Sequence, residues 1–254
     1  MNVLVTGGGT SAPIDDVRSI TNVSTGRFAA AISESCLARG AYVWHLHAPS
    51  AQLPLHRLAR FDLESNDPAG EFDRLRSLHD QWKAVRHRLH LVALKSGTVA
   101  DYAENLHQLL LNQSIDVAIL AMAVSDYEPA PVAGKVSSDE SELVVRCGRT
   151  PKVIRSVRDW APSVYLVGFK LLSRAATPEL IRQAEVSGRA NRADLTVAND
   201  LQSLVAGSHT VHLVRTGHPP ETLEPGADLA DRLVARVFEW AAATLTECGM
   251  QNAE

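Results

Sequence analysis

The first 47 residues contain the pattern that most constrains the fold. Residues 2–5 (NVLV) form a short apolar run, and the glycine turn 6–10 (TGGGT) follows it. An alanine-rich segment with helical spacing covers residues 26–39, and a second apolar run covers residues 41–47. A strand, a helix and a second strand within so short a stretch predict a right-handed βαβ unit, and therefore a mostly parallel sheet.

The rest of the chain continues this alternation. Apolar runs predict strands at residues 90–94, 116–123, 164–169, 195–198 and 210–214. Helical spacing predicts helices at residues 99–112, 153–160, 178–187 and 229–245. Together these elements predict an α/β fold with a doubly wound, mostly parallel, Rossmann-like sheet, in one domain over residues 1–254.

Two segments depart from the alternation. Residues 50–90 are polar and rich in arginine, so we expect an irregular insertion with one or two surface helices. Residues 129–150 contain proline, glycine and serine, and residues 142–146 then alternate between polar and apolar side chains. This second segment predicts a protruding β-hairpin, or flap.

Composition excludes several classes of protein. The formal net charge of −4 argues against a nucleic-acid-binding surface. The sequence has no apolar run long enough for a membrane span, and its first residues do not resemble a signal peptide. The three cysteines are too few for a disulfide framework or a cysteine-rich zinc site. We therefore expect a soluble, cytoplasmic chain with no membrane or nucleic-acid partner.

Polar segments follow three of the predicted strands. In an open parallel sheet, ligands bind where the carboxyl ends of the strands meet loops and helix N-termini. The glycine turn 6–10, the loop 124–127 and the loop after residue 198 all reach that edge. Residues 22–26 (NVSTG) precede the first helix, whose N-terminus is suited to a phosphate group.

Common nucleotide-binding motifs are absent from this edge. The glycine turn lacks the G-x-G-x-x-G spacing, and no Gly-Lys-Ser/Thr sequence occurs. None of the four tyrosines has a lysine four residues later, which removes the usual proton donor of a short-chain dehydrogenase. A short-chain-dehydrogenase-like NAD(P)-binding protein without that catalytic pair stays open as an alternative.

His45 and His47 lie two residues apart on a predicted strand, so their side chains face the same side. This spacing could hold a metal ion, but no third ligand has a matching spacing. We expect a partly exposed structural pair.

Six segments, taken together and in this order, resemble phosphopantothenoylcysteine synthetase, the phosphopantothenate–cysteine ligase family. They are VTGGGTSAPIDDVRSITNVSTGRFA, AMAVSDYEP, GKVSS, TPKVI, VGFK and VAND, which span residues 3 to about 200. The sequences DWAP, GFKLL and VADY make the chain similar to the stand-alone, eukaryotic-type branch.

The resemblance implies a ligation in coenzyme A biosynthesis. The carboxylate of 4′-phosphopantothenate would attack the α-phosphate of ATP or CTP with the help of Mg²⁺, and cysteine would then displace the nucleotide. It also implies a homodimer in which a flap from one subunit covers the site of the other. A catalytically inactive homologue that binds a nucleotide, or a partner through the arginines of residues 50–90, remains an alternative.

The resemblance also implies roles for individual residues. It makes Asn22, Lys135 and Arg18 the catalytic candidates, while the metal ligands stay unknown. Without the resemblance, Asn22 could be a helix cap and Lys135 a solvated loop residue. The nucleotide-binding candidates are Gly8, Gly9, Ser24, Gly26, Ala123, Asp126, Phe169 and Asn199.

Overall fold

The computed structural model describes residues 1–137, 139, 141–205 and 208–251. Its strands are β1 (Asn2–Gly7), β2 (Ser11–Pro13), β3 (Ser19–Thr21), β4 (Tyr42–His47), β5 (Leu89–Ala93), β6 (Val117–Leu120), β7 (Tyr127–Pro129), β8 (Cys147–Arg149), β9 (Tyr165–Leu172), β10 (Leu195–Asp200), β11 (Val211–Val214) and β12 (Glu221–Leu223). Its α-helices are α1 (Arg27–Ala38), α2 (Pro68–Val85), α3 (Val99–Asn112), α4 (Val157–Trp160), α5 (Thr177–Asn191), α6 (Leu201–Val205) and α7 (Leu229–Gln251).

Eight of these strands form one sheet, in the order β12-β11-β10-β9-β6-β1-β4-β5. The six strands from β10 to β5 run parallel, and β11 and β12 continue the sheet antiparallel at one edge. The chain builds outward from β1 through β4 to β5, then returns to the other side of β1 with β6. The predicted doubly wound, mostly parallel sheet is therefore confirmed, with its switch point between β1 and β6.

The core lies on both faces of the sheet, which explains the continuous apolar run of β1. Val3 and Val5 are fully buried in a cluster that includes residues of α1 and α7. Leu4 points to the opposite face and packs in a second cluster with Leu106 of α3. A strand that is buried on both faces has no polar side to expose, so its sequence does not alternate between polar and apolar residues.

Residues 50–90 contain the expected surface helix, but they form a regular connection and not an insertion. The 18-residue helix α2 occupies less than half of this segment and connects the neighbouring parallel strands β4 and β5. Asp67 caps it by accepting a hydrogen bond from the backbone N–H of Gly70 at 2.9 Å. Only Leu78 of this helix is buried, which is why the sequence signal is so polar. The segment is thus a regular crossover of the doubly wound fold.

The predicted flap is only partly correct. A hairpin pair is present, but its strands are β7 and β8, which pair antiparallel with Tyr127 opposite Arg149. Residues 142–146, expected to form a strand, are not in a strand in the structure. Their apolar side chains Leu143 and Val144 are exposed, so alternation there does not reflect a buried face. Ser138 and Glu140 of this segment lie outside the described residues.

Among the described residues, no helix combines the length and the apolar character needed to cross a lipid bilayer.

His45 and His47 are both buried, in contrast to the expected partly exposed pair. His45 belongs to β4, which lies between β1 and β5 in the sheet, and helix α1 covers its side chain. Its Nδ1 is 2.8 Å from the Oγ of Ser33 in that helix, and its ring stacks on that of His47 at 6.0 Å. Burial, with a smaller contribution from His47, lowers the pKa of His45 to about 3.

This burial predicts a pH-dependent stability. An exposed imidazole in the unfolded chain titrates near pH ~6.5. Below that pH the unfolded chain binds one more proton than the folded chain, so acidification from about pH 6.5 towards 3 destabilises the fold. We expect His45→Gln to reduce the slope of unfolding free energy against pH by up to ~1.4 kcal/mol per unit, measured by urea denaturation between pH 7 and 4.5.

The matched control is His218→Gln, which changes an exposed imidazole and should keep the wild-type slope. An unchanged slope in His45→Gln would show that His45 is charged in the folded protein or neutral in both states.

Candidate functional site

The candidate site lies at the switch point, where the loops after β1 and β6 touch. Gly9 and Ala123 form a parallel bridge beyond the ends of the two strands. The backbone N–H of Ala123 donates to the carbonyl of Gly8 at 2.9 Å, and the N–H of Thr10 donates to the carbonyl of Ala123 at 3.0 Å. Three of the predicted nucleotide-binding residues are thus joined in one backbone junction.

Asn22 lies directly against this junction. Its backbone N–H donates to the carbonyl of Thr10 at 3.1 Å, and its side-chain Nδ2 donates to the carbonyl of Ala123 at 3.2 Å. The side chain is half-buried, so part of the carboxamide stays accessible at the sheet edge. The structure therefore brings Asn22 and the glycine turn together.

Two of the glycines are required by how closely the backbone approaches its neighbours. A Cβ on Gly9 would lie 2.3 Å from the carbonyl oxygen of Asn22. Gly8 has a φ of +94°, and a Cβ there would lie 2.7 Å from the Cβ of Ala48. Gly26 belongs to the same place, because its Cβ position is 3.1 Å from the backbone nitrogen of Gly8. The turn can approach a ligand only because these side chains are missing.

The N-terminus of α1 is more open than that of α3. Its N-cap, Gly26, has no side chain, and its first turn contains no acidic residue. The only side-chain contact among the described residues is a long one, in which the hydroxyl of Thr25 accepts from the N–H of Arg27 at 3.4 Å. In α3, the hydroxyl of Thr98 accepts from the N–H of Asp101, and the carboxylate of Glu128 accepts from that of Val99. The free N–H groups and the positive end of the dipole at α1 therefore favour an anion, with Ser24 half-buried just before them.

Phe169 and Asn199 lie on the neighbouring strands β9 and β10, on the other side of α1's first turn. The ring of Phe169 on β9 meets that of Phe28 edge to face, with centroids 6.4 Å apart. Phe28 also contacts the ring of His209 at 4.6 Å, and the Nε2 of His209 is 3.5 Å from the Nδ2 of Asn199. We call Phe28, Phe169 and His209 the aromatic wall.

The sequence prediction missed two members of this wall. Phe28 could have been found, because it lies in the first turn of α1, four residues after Ser24. His209 follows α6 in a loop with no motif, so no sequence signal marks it.

Arg18 and Lys135 lie on a separate projection, which we call the arm: the hairpin of residues 11–21 and the segment 131–136 beside it. The backbone N–H of Val132 donates to the carbonyl of Ile14 at 2.9 Å, and that of Asp16 donates to Gly134 at 3.1 Å. In the part of the chain that the structure describes, no hydrogen bond or ion pair connects Arg18 or Lys135 to Asn22.

Asp15 holds the arm together, and the sequence prediction missed it. Its buried carboxylate accepts from the backbone N–H groups of Val17, Arg18 and Val136 at 2.9, 2.7 and 3.0 Å. It also pairs with the guanidinium of Arg18 at 2.5 Å, which in turn donates to the carbonyl of Val136. Burial alone would raise the pKa of Asp15, but these hydrogen bonds outweigh it and lower the pKa to about 2. The carboxylate is therefore a fixed negative charge that holds the backbone of Val136, the residue after Lys135.

Asp126 is exposed and its carboxylate is paired with Lys152. The described residues contain no group of three or more His, Cys, Asp or Glu side chains that could hold a metal ion.

Comparisons with known proteins give the family. The sequence model described as DNA/pantothenate metabolism flavoprotein C-terminal domain matches residues 1–108 and 88–240. The chain belongs to this family.

Relatives of the flavoprotein C-terminal domain family confirm the resemblance stated above. The chain is 30% identical to the coenzyme A biosynthesis bifunctional protein CoaBC of Thermococcus kodakarensis, over 84% of this chain and 44% of that protein. It is 28% identical to human phosphopantothenate–cysteine ligase, over 91% of this chain and 83% of that one. The chain spans about half the length of the archaeal bifunctional relatives, 44% and 50%.

Solved structures agree with the fold. A DNA/pantothenate metabolism flavoprotein from Streptococcus pneumoniae superposes with a TM-score of 0.74 and 28% identity, over 96% of this chain and 99% of that one. A Cab2 mutant in complex with phosphopantothenate-cysteine superposes with a TM-score of 0.83 at 22% identity, over 98% and 88% of the two chains. The second likeness supports the fold.

The contact between Gly9 and Asn22 can be tested with Gly9→Ala. The added methyl group meets backbone rather than a movable side chain, so the junction must shift. We expect the free energy of unfolding to fall by about 1–3 kcal/mol and any nucleotide-dependent turnover to fall by about 100-fold. Thermal unfolding and pyrophosphate release measure the two effects.

Gly148→Ala is the matched control, because a Cβ at Gly148 meets no atom within 4 Å and its φ is not in the left-handed region. If both variants behave alike, close approach at Gly9 is not a requirement of the site.

Proposed function

We propose that this chain is a ligase that joins 4′-phosphopantothenate to cysteine, using a nucleoside triphosphate, in coenzyme A biosynthesis. The observation that carries this proposal is the junction of Asn22 with the glycine turn, at the switch point and beside the open N-terminus of α1. Membership of the family and the similarity to the human ligase support it. The cytoplasm is the proposed location, in keeping with the substrates.

The reaction has two steps. In the first, an oxygen of the 4′-phosphopantothenate carboxylate bonds to the α-phosphorus, and the bond to the β-phosphate oxygen breaks with release of pyrophosphate. In the second, the amine of cysteine bonds to the acyl carbon, loses a proton and displaces the nucleoside monophosphate. Neither step needs a protein nucleophile; both need donors where negative charge builds up.

The junction supplies such donors. The free N–H groups of the first turn of α1 and the backbone of Gly8 and Gly9 would hold phosphate oxygens. The carboxamide of Asn22 is neutral, so it can donate to an acyl or phosphate oxygen without the cost of desolvating an ion. A bound Mg²⁺ would add Lewis-acid stabilisation of the phosphates, and Asp126 is the candidate carboxylate ligand at this edge.

Lys135 and Arg18 would supply positive charge from the arm. Lys135 is exposed, and the buried carboxylate of Asp15 fixes the backbone of its neighbour Val136. We propose that the arm places these cations against the transferring phosphate group when substrates bind. ATP and CTP both fit this scheme.

The alternatives are less well supported. Two of the six arginines of residues 50–90 are engaged in the core of the chain: Arg57 pairs with Glu34, and Arg88 donates to the carbonyls of Leu37 and Ala41. These two are therefore poorly placed to recruit an anionic partner. The relatives reported above are ligases and CoaBC proteins, which does not favour a nicotinamide-binding protein.

The proposal predicts a specific dependence on substrates. We expect pyrophosphate release only when Mg²⁺, a nucleoside triphosphate and 4′-phosphopantothenate are all present, and a new amide only after cysteine is added. Asn22→Asp should still bind nucleotide but lose about 100-fold in turnover, because the carboxylate removes an N–H donor and repels the anionic intermediate. Mass spectrometry of the acyl-nucleotidylate and the amide measures both steps.

Asn112→Asp is the matched control, since Asn112 is exposed at the end of α3. Undiminished turnover in Asn22→Asp would remove Asn22 from the mechanism, and no pyrophosphate from the wild-type protein with either nucleotide would overturn the ligase itself.

We also propose a homodimer built through the arm. Val17 and Val132 are 64% and 55% exposed there, and both line a groove of about 540 Å³ between the two parts of the arm. Val23, between the arm and α1, is fully exposed. Exposed apolar side chains beside a groove favour a protein partner, and a second copy would bring its own arm to the site. Since residues 131–136 pack on residues 11–21 of the same chain, the exchanged unit would be the whole arm.

The dimer predicts a sharp effect of Val17→Asp. A carboxylate buried in the interface costs binding energy, so we expect the wild-type protein to have twice the 27.5 kDa chain mass and Val17→Asp to have the mass of one chain. Light scattering at micromolar concentration measures this. Leu63→Asp is the control, because Leu63 is 90% exposed and lies outside the arm. A wild-type mass of one chain contradicts the dimer.

A further inference from the structure

The loop between α6 and β11 contributes a side chain to the candidate site that no motif marks. His209 is half-buried there, with its ring edge to face against Phe28 at 4.6 Å and 68°. Phe28 stands at 78° to the ring of Phe169, so it lies between the two other rings of the aromatic wall. The wall therefore joins α1, β9 and the loop before β11 at one edge of the sheet.

The Nε2 edge of the His209 ring faces Asn199, one of the predicted nucleotide-binding residues. Its Nε2 lies 3.5 Å from the Nδ2 of Asn199, near the outer limit of a hydrogen bond. Two groups at this distance leave their hydrogen-bonding capacity largely unused, so both can still bond to a ligand. Asn199 lies at the end of β10 and is 9% exposed, so its carboxamide is held near the ring of His209.

The charge of His209 suits a neutral ligand group. Burial lowers the pKa of His209, so the ring is uncharged at neutral pH. A neutral imidazole offers one N–H donor and one acceptor, which match a ribose hydroxyl or the edge of a base better than a phosphate. The phosphates have donors elsewhere, at the open N-terminus of α1.

We propose that His209 contacts the nucleoside, at its ribose or its base, in the nucleoside triphosphate that this chain uses. The inference rests on the proposed ligase function and adds a residue that the resemblance does not mark. His209 and Asn199 would hold the nucleoside through hydrogen bonds, while Phe28 and Phe169 form the apolar side of its pocket. His209 thus acts on nucleotide affinity, and Asn22 acts on the transferring acyl group.

Two variants separate contact from packing. His209→Phe keeps a ring against Phe28 and removes both nitrogens, whereas His209→Ala removes the ring as well. We expect both variants to raise the KM for the nucleotide by about five- to tenfold, as for one or two lost hydrogen bonds, with kcat within about twofold of wild type. The KM values for 4′-phosphopantothenate and cysteine should stay unchanged.

His218→Ala is the matched control, because it removes an exposed histidine from the loop on the far side of β11. An equal rise in KM for ATP and CTP places the contact on the ribose, and an unequal rise places it on the base; both support the proposal. A nucleotide KM in His209→Phe within twofold of wild type overturns it, because packing alone then explains the position.

Direct binding distinguishes this inference from the function it rests on. Calorimetric titration of the wild-type protein and His209→Phe with a nonhydrolysable ATP analogue should show a five- to tenfold weaker Kd for the variant. Equal Kd values overturn the role of His209 and leave the ligase intact. If the wild-type protein binds no nucleotide and releases no pyrophosphate, the ligase function fails as well.

Discussion

Two loops that leave neighbouring parallel strands are held together by backbone hydrogen bonds, and the candidate site depends on this contact. The carbonyls of Gly8 and Ala123 each accept a backbone N–H from the other loop. Asn22 then adds a side-chain hydrogen bond to the same carbonyl of Ala123. At a switch point the helices leave on opposite faces of the sheet, so a crevice opens there. The junction forms the floor of that crevice and fixes Asn22 on it.

Two kinds of surface meet at this edge of the sheet. The first turn of α1 presents backbone N–H groups and has no acidic residue. Phe28 in the same turn begins the aromatic wall, which continues through Phe169 and His209 to Asn199 and offers apolar surface and neutral polar groups. The helix α3 begins at the same edge of the sheet but is capped by Thr98 and Glu128. An anionic group and a nucleoside therefore find different partners side by side at α1.

Parts of the structure that local interactions form could be predicted from the sequence, and parts that long-range contacts form could not. The elements β1, α1, β4 and β6 were predicted, because burial of a strand or a helix face leaves a local pattern. The glycine turn and Asn22 were predicted to meet, since parallel strands bring their carboxyl ends to one edge, and the structure confirms the contact.

Long-range contacts leave no such local pattern in the sequence. Asp15 resembles a surface carboxylate in the sequence, and only its contact with Val136, 121 residues away, makes it a buried anchor. His209 meets Phe28 only in the folded chain, because the two residues are far apart in the sequence. The alternation at residues 142–146 predicted a strand, but among the described residues this segment pairs with no strand. Tertiary context decides each of these cases.

The division of the site between the sheet edge and the arm has a consequence for catalysis. The phosphate end of the crevice relies on neutral donors, and the candidate cations Arg18 and Lys135 belong to the arm. The guanidinium of Arg18 is already shared between Asp15 and the carbonyl of Val136, so it stabilises the arm as well as carrying charge. Since the arm also carries exposed Val17 and Val132, closure over a phosphate and contact with a second copy would use the same surface. In the proposed dimer, pairing of the two chains and charge neutralisation at the transferring group would therefore be coupled, and a chain that cannot pair would bind nucleotide better than it turns it over.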